Sequence, residues 1–436
     1  MSCSSAMNPK TAAGRAFCPS RCGLSVSSSV AHQGGCKKKR FRTTFVYLHL
    51  DTVKIISYTD VDIVKMHFGM SETEIYMKRF KKMIKWILIV AVLLVLLLLA
   101  VWFFISSGKI RKYTGENSIS EKFVMDVNGA PNGFFINSVD QANPVLLLVS
   151  SGPGTDDYVF TDKYKDMRLE EDFTVVYWDY RWMGIAYSGD ADVDSITLEN
   201  LLADTKFVTD YLKERFGKEK IYIMGFSGGS HIALRAAQQH PEDYYAYIGM
   251  AQVVTDSEDR DTLMYDFMKA TFEEKGAKGS LKTLDNAVEH LEDGKVRCKN
   301  WYDFVVLVHD AGGGTILDKT EFSGIVWPII TCSCYTVSEK INYIRGMKMY
   351  RTTPLNSELK DFDYRESLQE LKVPAYFISG EKDYNCPWEL VEEYCEKLTA
   401  PDMGFIKVPD AAHSPLWENP QVTCEFLRQV KKKCGE

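Results

Sequence analysis

From Trp86 to Gly108 the chain carries no charged side chain, and from Ile87 to Ile105 the apolar run is unbroken. At about 1.5 Å of rise per residue, roughly 20 such residues cross a hydrocarbon core of about 30 Å, so the pattern predicts one transmembrane helix over 86–108. A buried helix of a soluble protein is the first alternative, but Leu, Val and Ile on every side argue against it. A cleaved signal peptide is the stronger rival, and both the length of the run and the lack of a small-x-small site after it argue for retention.

Beyond residue 141 the pattern changes to short apolar runs alternating with helical periodicity. Pro144–Ser150 reads as a buried strand ending in a Ser-Gly-Pro-Gly turn, and Phe173–Trp178 as a second strand closed by Asp179. Leu198–Phe216 has helical spacing, Ile221–Met224 is a strand, Ser230–His240 a helix stopped by Pro241, and Tyr247–Val254 a strand. The alternation lapses over 255–367, where helical patterns fall at 262–275 and 281–292 around a Gly312-Gly313-Gly314 break. It resumes with a strand at Val373–Ser379, a helix at Pro387–Leu398, a strand at Phe405–Val408 and a helix at Pro420–Lys433. Strands alternating with helices predict a mostly parallel sheet with helices on both faces. A largely helical insertion between its halves predicts a cap over the carboxyl edge. The expected organisation is a poorly structured segment 1–69, a basic juxtamembrane segment 70–85, the helix 86–108, a first core part 109–254, the cap 255–367 and a second core part 368–436.

Charge sharpens this picture. Residues 1–85 hold 15 Lys and Arg against 5 Asp and Glu, whereas 109–436 hold 37 against 54. An acidic domain of that balance is a poor partner for nucleic acid. Lys78, Arg79, Lys81, Lys82 and Lys85 precede the span and Lys109, Arg111 and Lys112 follow it, a bias that puts the N-terminus in the cytoplasm and the large domain outside. Cys3, Cys18, Cys22 and Cys36 sit in a Ser- and Gly-rich tail with no complementary pair for a zinc site. The polar stretch, basic cluster and span that follow Met70 resemble the start of a single-span protein, so the physiological chain is expected to begin downstream of Met1. The seven cysteines beyond the span, an odd number at irregular spacing, are no disulfide scaffold, with one or two bridges left open.

The candidate chemistry lies in Gly225-Phe-Ser227-Gly-Gly229, between the strand at 221 and the helix at 230. A serine exposed on such a sharp turn needs small neighbours, and the following helix aims free N–H groups at the reacting centre. A general base and an acid are expected later in the chain. Asp383 follows the strand ending at Ser379, and His413 follows the strand ending at Val408, one αβ step further on. His231 lies on the helix of Ser227 and is expected to point away, His240 to cap a helix, and His290 and His309 to be surface or packing residues. Glu381 is the alternative acid.

With these residues the sequence resembles the α/β-hydrolase superfamily, in particular its proline iminopeptidase-like branch, over roughly 120–436. Ser150-Ser-Gly152-Pro153-Gly154 is similar to the branch's His-Gly-Gly-Pro-Gly. Asp179-Tyr-Arg181-Trp-Met-Gly184 is similar to its Asp-Gln-Arg-Gly-x-Gly, with Trp182 where the branch has its first glycine and Ala186 where it has a serine. The resemblance implies an α/β-hydrolase fold and acyl transfer: Ser227 as nucleophile, His413 as base and Asp383 as orienting acid. It places the oxyanion between the N–H groups of Gly228 and of the Ser151–Gly152 turn. No metal or organic cofactor is expected. An aminopeptidase acting on short peptides is the first expectation, an esterase or lipase-like hydrolase the second, and an idle binding domain on a membrane stalk the third. Aminopeptidase action would use cap carboxylates for the substrate amine, with Glu258, Glu273, Glu274, Glu289, Glu292, Glu321 and Glu339 available.

Overall fold

The computed structural model describes residues 46–49, 52–55, 72–152 and 157–435. The cysteine-bearing tail and the Pro153-Gly154 pair of the first motif lie outside these residues. Val46–His49 and Thr52–Ile55 pair as an antiparallel hairpin.

Helix α1, Glu72–Ile105, is 34 residues long. The basic segment expected to precede the span is therefore its first turns, with no break at Lys85. It stops at Ile105, three residues short of the expected end, where Ser106, Ser107 and Gly108 follow and Gly108 takes a φ of +70°. From Trp86 to Ile105 its large apolar side chains point outward, except half-buried Trp102, with Leu97 60% exposed. Among the described residues it is the one helix long and apolar enough to cross a membrane.

The rest is built on an eight-stranded sheet. Its strands are β1 (Ile119–Val127), β2 (Ala130–Ser138), β3 (Val145–Val149), β4 (Thr174–Asp179), β5 (Ile221–Phe226), β6 (Tyr244–Met250), β7 (Ala375–Gly380) and β8 (Met403–Val408). They lie in the order β8-β7-β6-β5-β3-β4-β2-β1, and every neighbouring pair from β4 to β8 is parallel. The hairpin β1–β2, which precedes the first strand expected from the sequence, adds an antiparallel edge.

The apolar runs form central strands because both of their faces are covered. Along β3, Leu147 and Val149 enter one core with Leu201, Val208 and Leu212 of α2 (Leu198–Phe216) and Ile232 of α3 (Gly229–Gln239). Leu146 and Leu148 enter the other, with Leu427 and Val430 of the C-terminal helix Pro420–Cys434. This two-residue alternation is the strand period itself.

Two sequence expectations shift. The strand expected at 247–254 runs from Tyr244 to Met250, because Ala251 adopts a φ of +46° and turns the chain out of the sheet. The helix expected at 281–292 ends at Ala287, and Val288–His290 pairs with Val296–Cys298 across a turn in which Gly294 has a φ of +87°. Val288 and Val296 are buried there, so burial at strand spacing prevails over helical propensity. The insertion between β6 and β7 contains α4 (Glu258–Glu274), α5 (Lys278–Ala287), α6 (Trp301–Ala311) and α7 (Val337–Tyr350). Met264, Met268, Phe272, Phe304 and Val308 give its first half a core of its own.

The Asp179–Gly184 motif is structural. The Arg181 guanidinium donates to both carboxylate oxygens of Asp204 on α2 at 2.6 Å, with both side chains buried. Asp179 accepts the N–H of Ile185 at 2.9 Å. Trp182, at the family's glycine position, keeps a left-handed backbone with φ +61°, a conformation that costs a non-glycine residue about 1–3 kcal/mol. Replacing Asp204 with Ala strands the buried Arg181 charge. Urea unfolding should show a loss of about 3–5 kcal/mol.

Candidate active site

The chain turns sharply between β5 and α3, and Ser227 sits at the turn with a φ of +50°. A Cβ on Gly225 would lie 2.5 Å from the Ser230 Cα, and one on Gly229 would run into the carbonyl oxygens of Val149 and Ser150. Gly225 is therefore demanded by the close approach of α3 to the end of β5, and Gly229 by the passage of α3 over the end of β3. The Ser227 N–H donates to the carbonyl of Met250 at 2.9 Å, which fixes the turn to β6.

Two later loops meet this turn. His413 Nε2 lies 2.8 Å from Ser227 Oγ, and His413 Nδ1 lies 3.0 Å from each carboxylate oxygen of Asp383. Asp383 is fully buried and also accepts the N–H groups of Asn385 at 3.0 Å and Cys386 at 2.9 Å. Glu381 is only partly buried, and no contact joins it to the imidazole. The Gly312–Gly314 break lies against the same two loops: Gly313 O accepts the N–H of Tyr384 at 3.2 Å, and Gly314 O that of His413 at 3.3 Å.

Two carboxylates that the sequence did not single out, buried Asp157 and half-buried Glu418, hold the surrounding backbone. Glu418 accepts the N–H of Ala412 at 3.2 Å and of Ser414 at 2.8 Å, on either side of His413, and that of Leu317 in the insertion at 2.6 Å. Burial pushes its carboxyl up to about 7 against those bonds. Asp157 accepts the N–H of Ser151 at 2.9 Å while its Oδ1 is buried without a partner. Burial likewise raises it to about 7. Their only sequence signals are an acid soon after His413 and another after the glycine-rich turn.

The expected oxyanion pocket is not open. The N–H of Gly228 donates to the Ser151 carbonyl at 2.6 Å, so that carbonyl stands where a substrate oxygen was expected between Gly228 and Gly152.

A cavity of about 610 Å³ opens onto Ser227, lined by Phe226, Trp301, Tyr343, Tyr350 and Phe362 among others. Of the seven glutamates considered in the insertion, only Glu321 lines it, and it is exposed. Asp256 lines it too, ion-paired with Arg260. His231 reaches the wall but bonds Tyr364 OH at 2.7 Å, and burial, then Arg235, lowers it to about 3. His309, expected at the surface or in packing, is a buried wall residue whose Nδ1 has no partner. Burial, with the nearby His413, lowers it to about 4. His240 ends α3, and with Glu242 and Asp243 it forms a cluster with metal-ligand spacing, but Asp243 is salt-bridged to Lys206 and Lys213. His290 is exposed beside Asp285. Among the described residues, the seven cysteines beyond α1 form no disulfide with one another.

Comparison with known proteins places this geometry. Residues 158–292 match the family model of the serine aminopeptidases, S33. The "Probable aminopeptidase YbaC" of Bacillus subtilis is 30% identical over 313 residues, which cover 72% of this chain and 96% of that protein. The chain belongs to this family of α/β-hydrolases. It is a hydrolase of the proline iminopeptidase-like branch. Solved structures with a similar fold include proline iminopeptidase of Mycobacterium smegmatis, at 14% identity and a TM-score of 0.49 over 72% of this chain and all of that one. The esterase RhEst1 of Rhodococcus shows 12% identity and a TM-score of 0.46 over 72% of this chain and 99% of that one.

The carboxyl of Asp157 yields a pH prediction. Its folded value of about 7 lies above its ordinary 3.8, so its contribution to stability is full below about pH 3.8 and is lost as pH rises through about 7. Glu418 titrates over a similar range. Urea unfolding of the Asp157→Asn variant should therefore show less decline between pH 4 and pH 8 than the wild type, with the Glu418 contribution common to both.

Proposed function

We propose that the protein is a membrane-anchored serine hydrolase that works through an acyl-enzyme. The contact of His413 Nε2 with Ser227 Oγ at 2.8 Å, backed by Asp383 on Nδ1, carries this reading. Ser227 attacks the carbonyl carbon while His413 takes its proton, and Asp383 holds the tautomer and stabilises the imidazolium. The developing oxyanion takes the Gly228 N–H, and that of Gly152, after the Ser151 carbonyl turns away. His413 then returns the proton to the leaving group, and water, activated by the same imidazole, releases the acid. A serine-reactive phosphonate should label the wild type and not Ser227→Ala. His413→Ala should lower kcat by roughly three orders of magnitude or more, while His231→Ala should have a far smaller effect.

The substrate proposed is a short peptide with a free N-terminus, as befits the relative's aminopeptidase name. Of the carboxylates facing the cavity, Glu321 offers an ammonium its counter-charge, Asp256 being ion-paired with Arg260. The aromatic lining favours a second reading, an esterase with an apolar acyl pocket. Acetylating the amine of an aminoacyl substrate should cut kcat/KM roughly a hundredfold or more for the peptidase. Equal turnover of free and acetylated substrates would establish the esterase.

Helix α1 is proposed as a single span, with the N-terminus cytoplasmic and the hydrolase outside. The five cations from Lys78 to Lys85 against the three from Lys109 to Lys112 support this orientation. Protease added to intact cells should destroy epitopes beyond Lys112 and spare those before Lys85. The opposite pattern would reverse the orientation.

A further inference from the structure

The end of α1 is bonded directly to the insertion. The indole N–H of Trp102 donates to the Ile330 carbonyl at 2.9 Å. The buried Lys340 ammonium donates to Ser106 Oγ at 2.9 Å and to the carbonyls of Ile330 at 2.8 Å and Cys332 at 2.7 Å. Ser107 bridges Thr336, and the N–H of Lys109 donates to the Ser333 carbonyl at 3.0 Å. The helix thus leads into the domain through a fixed joint.

That joint sets a height. On the span reading, on which this inference rests, the apolar run Ile87–Ile105 covers about 28 Å and just fills the hydrocarbon core. Trp102 is one turn from its end. Ile330, bonded to it, therefore lies at the level where hydrocarbon gives way to headgroups, and its neighbours lie there too.

Those neighbours expose apolar side chains. Phe322 is 58% and Trp327 48% exposed, on the stretch that leads to Ile330, with their rings 6.3 Å apart. On α7, Ile341 and Ile344 are 43% and 49% exposed. They share one face with exposed Arg345 and Lys348, at i, i+3, i+4 and i+7 from Ile341. The buried Lys340 and Tyr343 face inward. Aromatic and aliphatic side chains bordered by cations are what a bilayer interface accommodates.

We propose that this face of the insertion, Phe322, Trp327, Ile341 and Ile344 with Arg345 and Lys348, rests in the headgroup region of the bilayer that α1 crosses. The apolar side chains enter the acyl boundary and the two cations meet lipid phosphates. The span alone tethers the domain; the second contact orients it. Glu321 and Ile325, beside Phe322 and Trp327, also line the cavity over Ser227, so the docked face holds that cavity close to the lipid surface.

The test uses the full-length chain in nanodiscs of phosphatidylcholine and phosphatidylglycerol, with acyl chains either brominated near the glycerol end or unbrominated. The fluorescence lost on Trp327→Phe reports Trp327, and a second reporter is Ile344→Trp in the Trp327→Phe background. Brominated lipid should dim either reporter relative to unbrominated discs, and dimming of either supports docking. Both reporters equally bright in the two kinds of disc, while the chain co-migrates with the discs, would overturn docking and leave the span standing. A chain that does not co-migrate with discs would overturn the span and the docking with it.

Discussion

The turn at Ser227 is the constraint on which the rest of the site depends. A serine held at φ +50°, with α3 pressed against the end of β5 and passing over the end of β3, leaves no room for side chains at Gly225 or Gly229. The backbone strain, about 1–3 kcal/mol, persists only because the neighbours over-determine the turn. Here those neighbours are the Met250 carbonyl at the end of β6 on one side and the packed strand β3 on the other. The order β6-β5-β3 is thus more than a feature of topology. Flanking β5 with parallel strands sets the carboxyl ends of three strands side by side, and β7, next to β6, adds the loop that carries Asp383.

A second layer of polar groups keeps the loops on that edge in register. Asp383 accepts two backbone N–H groups besides its contact with His413, so its orientation does not depend on the imidazole. Glu418 grips the backbone on both sides of His413 and reaches the insertion at Leu317. Gly313 and Gly314 add carbonyl contacts to the Asp383 and His413 loops. The insertion is therefore bonded to the same loops whose side chains face Ser227. A shift of its 312–317 segment would pull on His413 through both Glu418 and Gly314.

Much of this was legible because local and global signals agreed. The runs at 144–150, 173–178 and 221–224 became central strands since nothing but double-sided burial suits such stretches. Ser227, Asp383 and His413 could be paired from strand ends and chain order alone. The remainder depended on contacts distant in sequence. The hairpin β1–β2 has weaker alternation, with Phe134, Phe135 and Ile136 consecutive and all buried, so its period was hidden. The strand at 288–290 needed a partner eight residues away. Asp157 and Glu418 look like ordinary surface acids until the fold excludes water from them. The Gly228 N–H was expected to be free, and only the three-dimensional path of the Ser151 turn shows that a carbonyl already occupies it.

The joint between α1 and the insertion joins the two halves of the picture. Lys340 donates three hydrogen bonds from a buried position, one to the α1 end and two to the 330–332 turn. Burial pushes the pKa of the Lys340 ammonium down and these acceptors offset part of that cost, so loosening the joint would leave a buried ammonium without partners. Trp102 adds a second bond to the same turn, and its ring lies 5.9 Å from the Lys340 ammonium. Three residues beyond Lys340 on the same helix, Tyr343 forms part of the cavity wall. One rigid helix therefore carries both the mount for α1 and a wall of the site. The direction in which the cavity faces is consequently fixed relative to the apolar helix, and any motion that reorients one must break the bonds that hold the other.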